Sequence, residues 1–240
     1  GRIIFTIPYE TDFTLIGTTD VEHSDVFEKP ICTQEEQEYL VKFVSKYLEK
    51  TVTVDDIIHT YSGVRPLYDD RAMSATAATR DYVLKVDETV GAPILNVFGG
   101  KITTYRKLAE SALKKLENFL PIDDKPWTAG VPLPGGAFPV DGVLVLIKEL
   151  KETYSFLDTF WASRLVKAYG LEAFDVLGNA MTQNDLGIYF GASLTEREVN
   201  WLIQKEYARS ADDIIWRRSK LGLRLTSIEI STLNKWMENI

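Results

Sequence analysis

The sequence predicts a mixed α/β part over residues 1–120 and an all-helical part after it. Three observations carry this reading. Short β-branched and aromatic runs interleave with helical spacing only in the first part. Proline and glycine then crowd the stretch 121–142, with Pro121, Pro126, Gly130, Pro132, Pro134, Gly135, Gly136, Pro139 and Gly142, and this stretch is the expected linker. Beyond it, apolar residues recur at helical spacing between cap signals, with no further strand pattern.

Taken in order, residues 2–7 and 13–16 read as a hairpin, because Pro8-Tyr9-Glu10-Thr11-Asp12 between them has turn chemistry. Thr33 and Glu36 stand at capping-box spacing, and Tyr39, Leu40, Phe43, Val44, Tyr47 and Leu48 follow at helical intervals, so a long helix is expected there. Residues 57–64, 82–87 and 94–98 read as strands, the last running into Gly99-Gly100. A helix opens near Thr103 and carries Leu108, Ala109, Ala112, Leu113 and Leu116 on one face. Helices are then expected over 144–150, 160–169, 173–180, 195–208, 212–221 and 226–240, with Thr195…Glu198 and Thr226…Glu229 as further capping boxes. Trp161, Trp201, Trp216 and Trp236 are its expected core. There is no internal repeat.

Composition excludes several classes. With 45% hydrophobic and 26% charged residues the chain is globular rather than disordered. No apolar run approaches the roughly 20 residues that span a bilayer. The 27 Lys and Arg against 35 Asp and Glu leave a net charge of −8, which argues against non-specific nucleic-acid binding. Cys32 is the single cysteine, so neither an internal disulfide nor a zinc cluster is available, and a reducing cytoplasmic compartment is expected. The chain opens on Gly-Arg-Ile-Ile-Phe, already inside a strand pattern, and is expected to be a piece of something longer.

Two places suit chemistry. The strand–Gly99-Gly100-Lys101–helix passage lets backbone approach a ligand closely, and the helix start presents N–H groups beside a lysine cation. It would seat an anion or the electron-rich end of a flavin; the other reading is a plain structural turn. Arg65, in Tyr61-Ser62-Gly63-Val64-Arg65-Pro66-Leu67, is biased toward extended backbone by Pro66. Arg80, in Thr79-Arg80-Asp81-Tyr82, precedes the next strand. Two arginines at adjacent strand ends can clamp one phosphate or carboxylate bidentately. The alternative is a surface Arg65 and a solvated Arg80–Asp81 pair. His23 and His59 show no nucleophile or metal spacing and read as structural or surface residues, and Cys32 as a small buried residue. The acidic pairs are scattered, so no metal site is expected. The basic run Trp216-Arg217-Arg218-Ser219-Lys220 reads as a solvated helix face or interdomain contact rather than an anionic-lipid site.

Six motifs in series then carry a resemblance. They are Gly17-Thr18-Thr19-Asp20, Tyr61 to Leu67, Thr79 to Tyr82, Val97-Phe98-Gly99-Gly100-Lys101-Ile102-Thr103-Thr104-Tyr105-Arg106-Lys107-Leu108-Ala109-Glu110, Leu133-Pro134-Gly135-Gly136, and Ala211 to Lys220. Together they closely resemble the C-terminal half of the FAD-dependent, aerobic-type glycerol-3-phosphate dehydrogenases, over essentially the whole chain. The resemblance implies that residues 1–90 end a substrate-binding sheet with its covering helix. It makes 91–120 the returning strand and helix of a discontinuous FAD domain, and 143–240 an appended helical domain. It implies FAD as cofactor, with Gly99, Gly100, Lys101, Ile102 and Thr103 facing the isoalloxazine ring, Lys101 acting in catalysis, and Arg65 and Arg80 holding the substrate phosphate.

By the same resemblance, sn-glycerol 3-phosphate is oxidised to dihydroxyacetone phosphate, hydride passing from C2 to the flavin while a base takes the hydroxyl proton. The partners it implies are glycerol 3-phosphate and a quinone or other electron acceptor, with room for a peripheral contact at the inner face of the cell membrane and for a homodimer. An oxidase using oxygen is the near alternative, though the short Arg65-to-Arg80 link favours the dehydrogenase. A non-catalytic helical interaction module is the alternative from another class. The sequence departs from the family in two respects: it has no GxGxxG fingerprint for the dinucleotide, and neither His23 nor His59 matches the family's proton-abstracting histidine.

Overall fold

The computed structural model describes residues 3–23, 25, 27–68, 81–121 and 125–240. The chain divides into two compact units, Gly1–Ala129 and Gly130–Ile240.

In the first unit, β1 (Phe5–Tyr9) and β2 (Phe13–Gly17) form an antiparallel hairpin in the register Phe5↔Gly17 to Tyr9↔Phe13. Against β2 lies α1 (Gln34–Val44), whose Thr33 cap accepts from the Glu36 backbone while the Glu36 carboxylate accepts from the Thr33 backbone. The helix stops before the expected Tyr47 and Leu48. The Ser45 hydroxyl both donates to the Val52 carbonyl (3.0 Å) and accepts from the Val52 N–H (3.1 Å), which folds the chain back and leaves Tyr47 exposed. Cys32 before it is half-buried rather than buried, and its thiol is pushed up by that burial and by the Glu36 charge.

The strand expected at 57–64 does not form. Ile58, Tyr61 and Val64 are exposed, and among the described residues no strand pairs with this stretch. A strand exists only through its ladder, so β-propensity without a partner leaves irregular backbone. The expected 82–87 and 94–98 do pair, as β3 (Val83–Asp87) and β4 (Ile94–Phe98), from Val83↔Phe98 to Asp87↔Ile94. A 3-10 turn over Ile102–Thr104 leads into α2 (Tyr105–Leu116), none of whose side chains is fully buried. Thr128 donates to Glu110 on this helix, and Arg106 bonds both Glu110 (2.9 Å) and Thr128 (3.1 Å), holding the later segment on α2.

The second unit has a continuous core. Helices α3 (Val143–Thr153), α4 (Thr159–Tyr169), α5 (Glu172–Leu177), α6 (Glu196–Glu206) and α7 (Ser227–Met237) surround Leu150, Leu165, Leu177, Leu202, Ile214 and Leu233. Trp161 is buried, and Trp201, Trp216 and Trp236 pack against the same cluster. The expected helix over 212–221 is a π-helical turn at Asp213–Arg218. Gly135 is needed where it stands, since a Cβ there would lie 2.1 Å from the Tyr169 carbonyl oxygen.

Two expectations fail here, for one connected reason. The unit is not all-helical: β5 (Tyr189–Gly191) and β6 (Leu194–Thr195) make a short antiparallel hairpin that sends Phe190 and Leu194 into the core. Its turn residues Ala192 and Ser193 have φ of 45° and 68°, values usually left to Gly or Asn. The Thr195…Glu198 capping box also fails to form. Glu198 turns inward instead and pairs with Arg164 on α4, whose Nη1 and Nη2 reach it at 2.7 and 2.6 Å. The same guanidinium donates to the Ser193 hydroxyl (2.8 Å) and carbonyl (2.9 Å), and the Tyr169 hydroxyl donates to Glu198 (2.8 Å). The buried carboxylate holds the hairpin turn, α4 and α6 together, which a surface cap would not do.

Candidate active site

The β3–β4 pair delivers the chain at Phe98 to Gly99 and Gly100, whose φ values are +66° and +99°. This conformation favours glycine, and so does the space. A Cβ on Gly99 would stand 3.2 Å from the Asp81 carbonyl oxygen, 3.9 Å from that of Pro66 and 4.0 Å from the Tyr68 nitrogen. One on Gly100 would stand 3.3 Å from the Tyr82 Cβ. The glycines therefore let three segments meet: Pro66–Tyr68, Asp81–Tyr82 and the loop 99–101. The Tyr68 and Phe98 rings, with centroids 5.4 Å apart, and Lys85, 4.6 Å above the Tyr68 ring, pack beside this junction.

Lys101 is extended and leads into the 3-10 turn, where the Thr104 N–H and hydroxyl both donate to the Lys101 carbonyl at 2.9 Å. Ile102 is 88% exposed and Tyr105 half so, which leaves this helix start open. The first N–H groups of a helical segment have no acceptor within it and carry the positive end of its dipole. An exposed loop of two glycines, a lysine and such N–H groups fits the electron-rich edge of a flavin, which accepts hydrogen bonds and gains negative charge on reduction. The residues that hold a dinucleotide pyrophosphate, the GxGxxG fingerprint, are not in this chain.

Arg65 and Lys101 each hold a carboxylate. Arg65 Nη1 donates to Asp20 Oδ2 at 2.7 Å, and Lys101 Nζ to Asp81 Oδ1 at 3.3 Å, all four side chains being about half exposed or more. Arg65 leads directly into Pro66, where the Leu67 N–H closes a tight turn onto the Arg65 carbonyl (2.8 Å). Arg80, the second expected phosphate ligand, lies outside the described residues. Asp81 is engaged with Lys101, a long-range partner that the solvated Arg80–Asp81 reading does not include.

Sequence reasoning missed the two aspartates as partners of the cations. Asp20 stands within a noted motif, but 45 residues separate it from Arg65, so only the tertiary fold shows the pairing. Asp20 follows β2, and its neighbour Thr19 donates to the Glu36 carboxylate at the start of α1. That hydroxyl, with the Thr33 backbone N–H, holds the Glu36 carboxyl below the usual range.

Elsewhere, a recess of about 450 Å³ lined by Tyr82, Leu84, Ser111, Lys114, Lys115 and Glu117 contains none of the expected site residues. His23 is half-buried and contacts the Glu28 carbonyl at 3.0 Å. Among the described residues, no group of three or more His, Cys, Asp and Glu is placed to hold a metal ion, and no helix is long and apolar enough to cross a membrane. In the second unit, Arg217 bonds Asp213 at 3.0 Å and Arg218 bonds the Glu206 carbonyl at 2.7 Å, so the basic run is engaged within its own fold.

Comparison with known proteins gives the chain's relatives. Residues 1–106 match the family model described as FAD dependent oxidoreductase, and residues 126–236 match the C-terminal domain of alpha-glycerophosphate oxidase. The chain is 42% identical over 239 residues to a glycerol-3-phosphate dehydrogenase of Pseudomonas aeruginosa, covering 99% of this chain and 46% of the relative. It is 40% identical over 238 residues to the D-erythritol 1-phosphate dehydrogenase of Brucella abortus, covering 99% and 47%. It is 33% identical over 232 residues to the mitochondrial glycerol-3-phosphate dehydrogenase of Rattus norvegicus, covering 92% and 30%. The chain spans about half the length of the bacterial relatives it matches.

Proposed function

We propose, from the premise that this chain belongs to the FAD dependent oxidoreductase family and that FAD is its cofactor, that the protein oxidises glycerol 3-phosphate to dihydroxyacetone phosphate. The observation that supports this best is the junction at Gly99, where the chain leaving Arg65 meets the lysine-bearing helix start. A phosphate ligand and a flavin-facing loop side by side suit a small phosphorylated alcohol.

In this reading Arg65 binds the substrate phosphate through its planar fork of donors, with Arg80 as the second arm. Lys101 stands where it can stabilise negative charge that develops during the reaction. Gly99, Gly100, Ile102 and Thr103 present backbone to the flavin edge. Bound FAD would supply the two-electron oxidising capacity. Residues 1–90 then complete the substrate domain, 91–120 return to the FAD domain, and 143–240 form the appended helical domain. Electrons pass on to a quinone, which calls for a peripheral contact with a membrane; oxygen is the alternative acceptor. The similarity to a D-erythritol 1-phosphate dehydrogenase favours one second reading, a longer polyol phosphate as substrate.

Steady-state kinetics on the complete, FAD-loaded protein tests the reading. Arg65→Ala and Arg80→Ala are each expected to raise KM for glycerol 3-phosphate by roughly 10–150-fold, the worth of one charge-assisted contact. Lys101→Ala should lower kcat as well. Flavin absorbance should be unchanged in the arginine variants. Near-wild-type kinetics in both would return them to a solvated surface role, and a higher kcat/KM with D-erythritol 1-phosphate would move the assignment to the longer substrate.

A further inference from the structure

We infer that Asp20 is a positioning residue for Arg65, held in place by the Thr19–Glu36 contact, an inference that rests on reading Arg65 as a phosphate ligand. The pairing is tertiary and direct, with Arg65 Nη1 on Asp20 Oδ2 at 2.7 Å across 45 residues of sequence. A guanidinium has five N–H donors in a rigid fork, and Asp20 engages it through Nη1. The remaining donors keep the planar geometry that suits an oxyanion. An arginine side chain is rich in rotamers, and binding a ligand with an unrestrained one costs the entropy of ordering it. A carboxylate that orders it beforehand removes part of that cost.

Asp20 is in turn anchored. The chain leaves β2 at Gly17, and at Thr19 the hydroxyl donates to Glu36 Oε1. The other Glu36 oxygen, Oε2, accepts the Thr33 backbone N–H at 2.9 Å, so this carboxylate spans from the α1 cap to the strand exit. A hydroxyl at the strand exit, a carboxylate on α1 and the backbone N–H of that helix's cap thus tie down the backbone that carries Asp20. A competing role would be that of an internal counter-ion which the substrate must displace. The two roles have opposite signs: losing a positioning group weakens binding, whereas losing a competing anion strengthens it.

The experiment is a double-mutant cycle on the complete, FAD-loaded protein with glycerol 3-phosphate as substrate. Asp20→Ala should raise KM about fivefold, the upper range for a half-exposed ion pair, with the effect in KM rather than kcat and the flavin spectrum intact. Asp20→Glu, which keeps the charge, should recover part of that rise. Glu36→Gln should give a smaller rise in the same direction. In an Arg65→Ala background, Asp20→Ala should add nothing. An unchanged or lowered KM in Asp20→Ala, or effects of the two substitutions that simply add, would overturn the inference while leaving the phosphate reading of Arg65 in place. A wild-type KM in Arg65→Ala itself would overturn that reading and this inference with it.

Discussion

The two units are of similar length but are built differently. Among the described residues, the fully buried apolar side chains of the first unit are Val41 and Val44, and all the others lie in the second. One long-range arginine–carboxylate pair from each differs in the same way. Arg65 and Asp20 are 48% and 51% exposed, whereas Arg164 and Glu198 are 7% and 1% exposed. A pair in water exchanges partners readily and contributes little to stability. A pair out of water must be fully hydrogen-bonded to exist at all, and then acts as a fixed pin. The first unit carries the candidate ligand-binding cations where a ligand can reach them; the second uses the same chemistry to hold a fold together.

The sharpest way to break this comparison is to separate the units. Residues 130–240 expressed alone should unfold in one cooperative urea transition, since a core of large apolar side chains contributes about 1.5–3 kcal/mol for each one fully buried. Residues 1–129 alone should show no such transition and should bind a hydrophobic dye, because Phe5, Ile7, Ile94 and Leu113 stand exposed on their elements. A cooperative first unit beside a dye-binding second one would reverse the contrast.

A smaller but more specific effect comes from Glu198→Ala. It strands the Arg164 guanidinium inside the second unit, and leaving one buried charge unpaired costs about 3–5 kcal/mol. The urea midpoint of residues 130–240 should fall accordingly, and replacing both partners, as Arg164→Met with Glu198→Leu, should cost less than the single substitution. Asp20→Ala should change stability by less than about 1 kcal/mol, as exposed pairs do. Equal losses in the two units would remove the distinction between pin and exchangeable pair.

Local patterns carried much of the fold. Thr33 and Glu36, and Thr226 and Glu229, are legible as caps because a capping box is written within four consecutive residues. The β1–β2 and β3–β4 pairs follow from β-branched runs beside turn residues, as does the helix after Gly99-Gly100. What failed was decided at long range. Residues 57–64 have strand chemistry, but a ladder needs a second chain segment. The β5–β6 hairpin was hidden because its turn is Ala192-Ser193 rather than Asn-Gly; the run Tyr189-Phe190-Gly191, aromatic and then glycine, was the one local sign of it. Thr195…Glu198 has the spacing of a cap, yet the buried Arg164 claims the glutamate. For the candidate site, Gly99, Gly100, Lys101 and Arg65 are visible as residue types, and their meeting at Pro66 and Asp81 is not. Nothing in the spacing pairs Asp20 with Arg65.

The smallest expected effect concerns a single proton in the second unit's pin. The Tyr169 hydroxyl donates to Glu198 Oε1 at 2.8 Å. Burial first, and the Glu198 charge second, hold this phenol protonated well above its ordinary value of 10.0. Because the folded value is raised, the stability it contributes is complete below the unfolded value near 10.0 and is lost as pH climbs from there toward the raised one. Tyr169→Phe keeps the ring and removes the proton, so at about pH 8 it should cost roughly 1.5–3 kcal/mol, the worth of a hydrogen bond to a charged group. At about pH 11 the unfolded wild type has already ionised this phenol, and the gap between wild type and variant should narrow. Urea midpoints of residues 130–240 at the two pH values measure that change in the gap, in which the titration of every other group cancels. A gap that stays constant would mean that Tyr169 ionises at the same pH folded and unfolded, and that water reaches the pin after all.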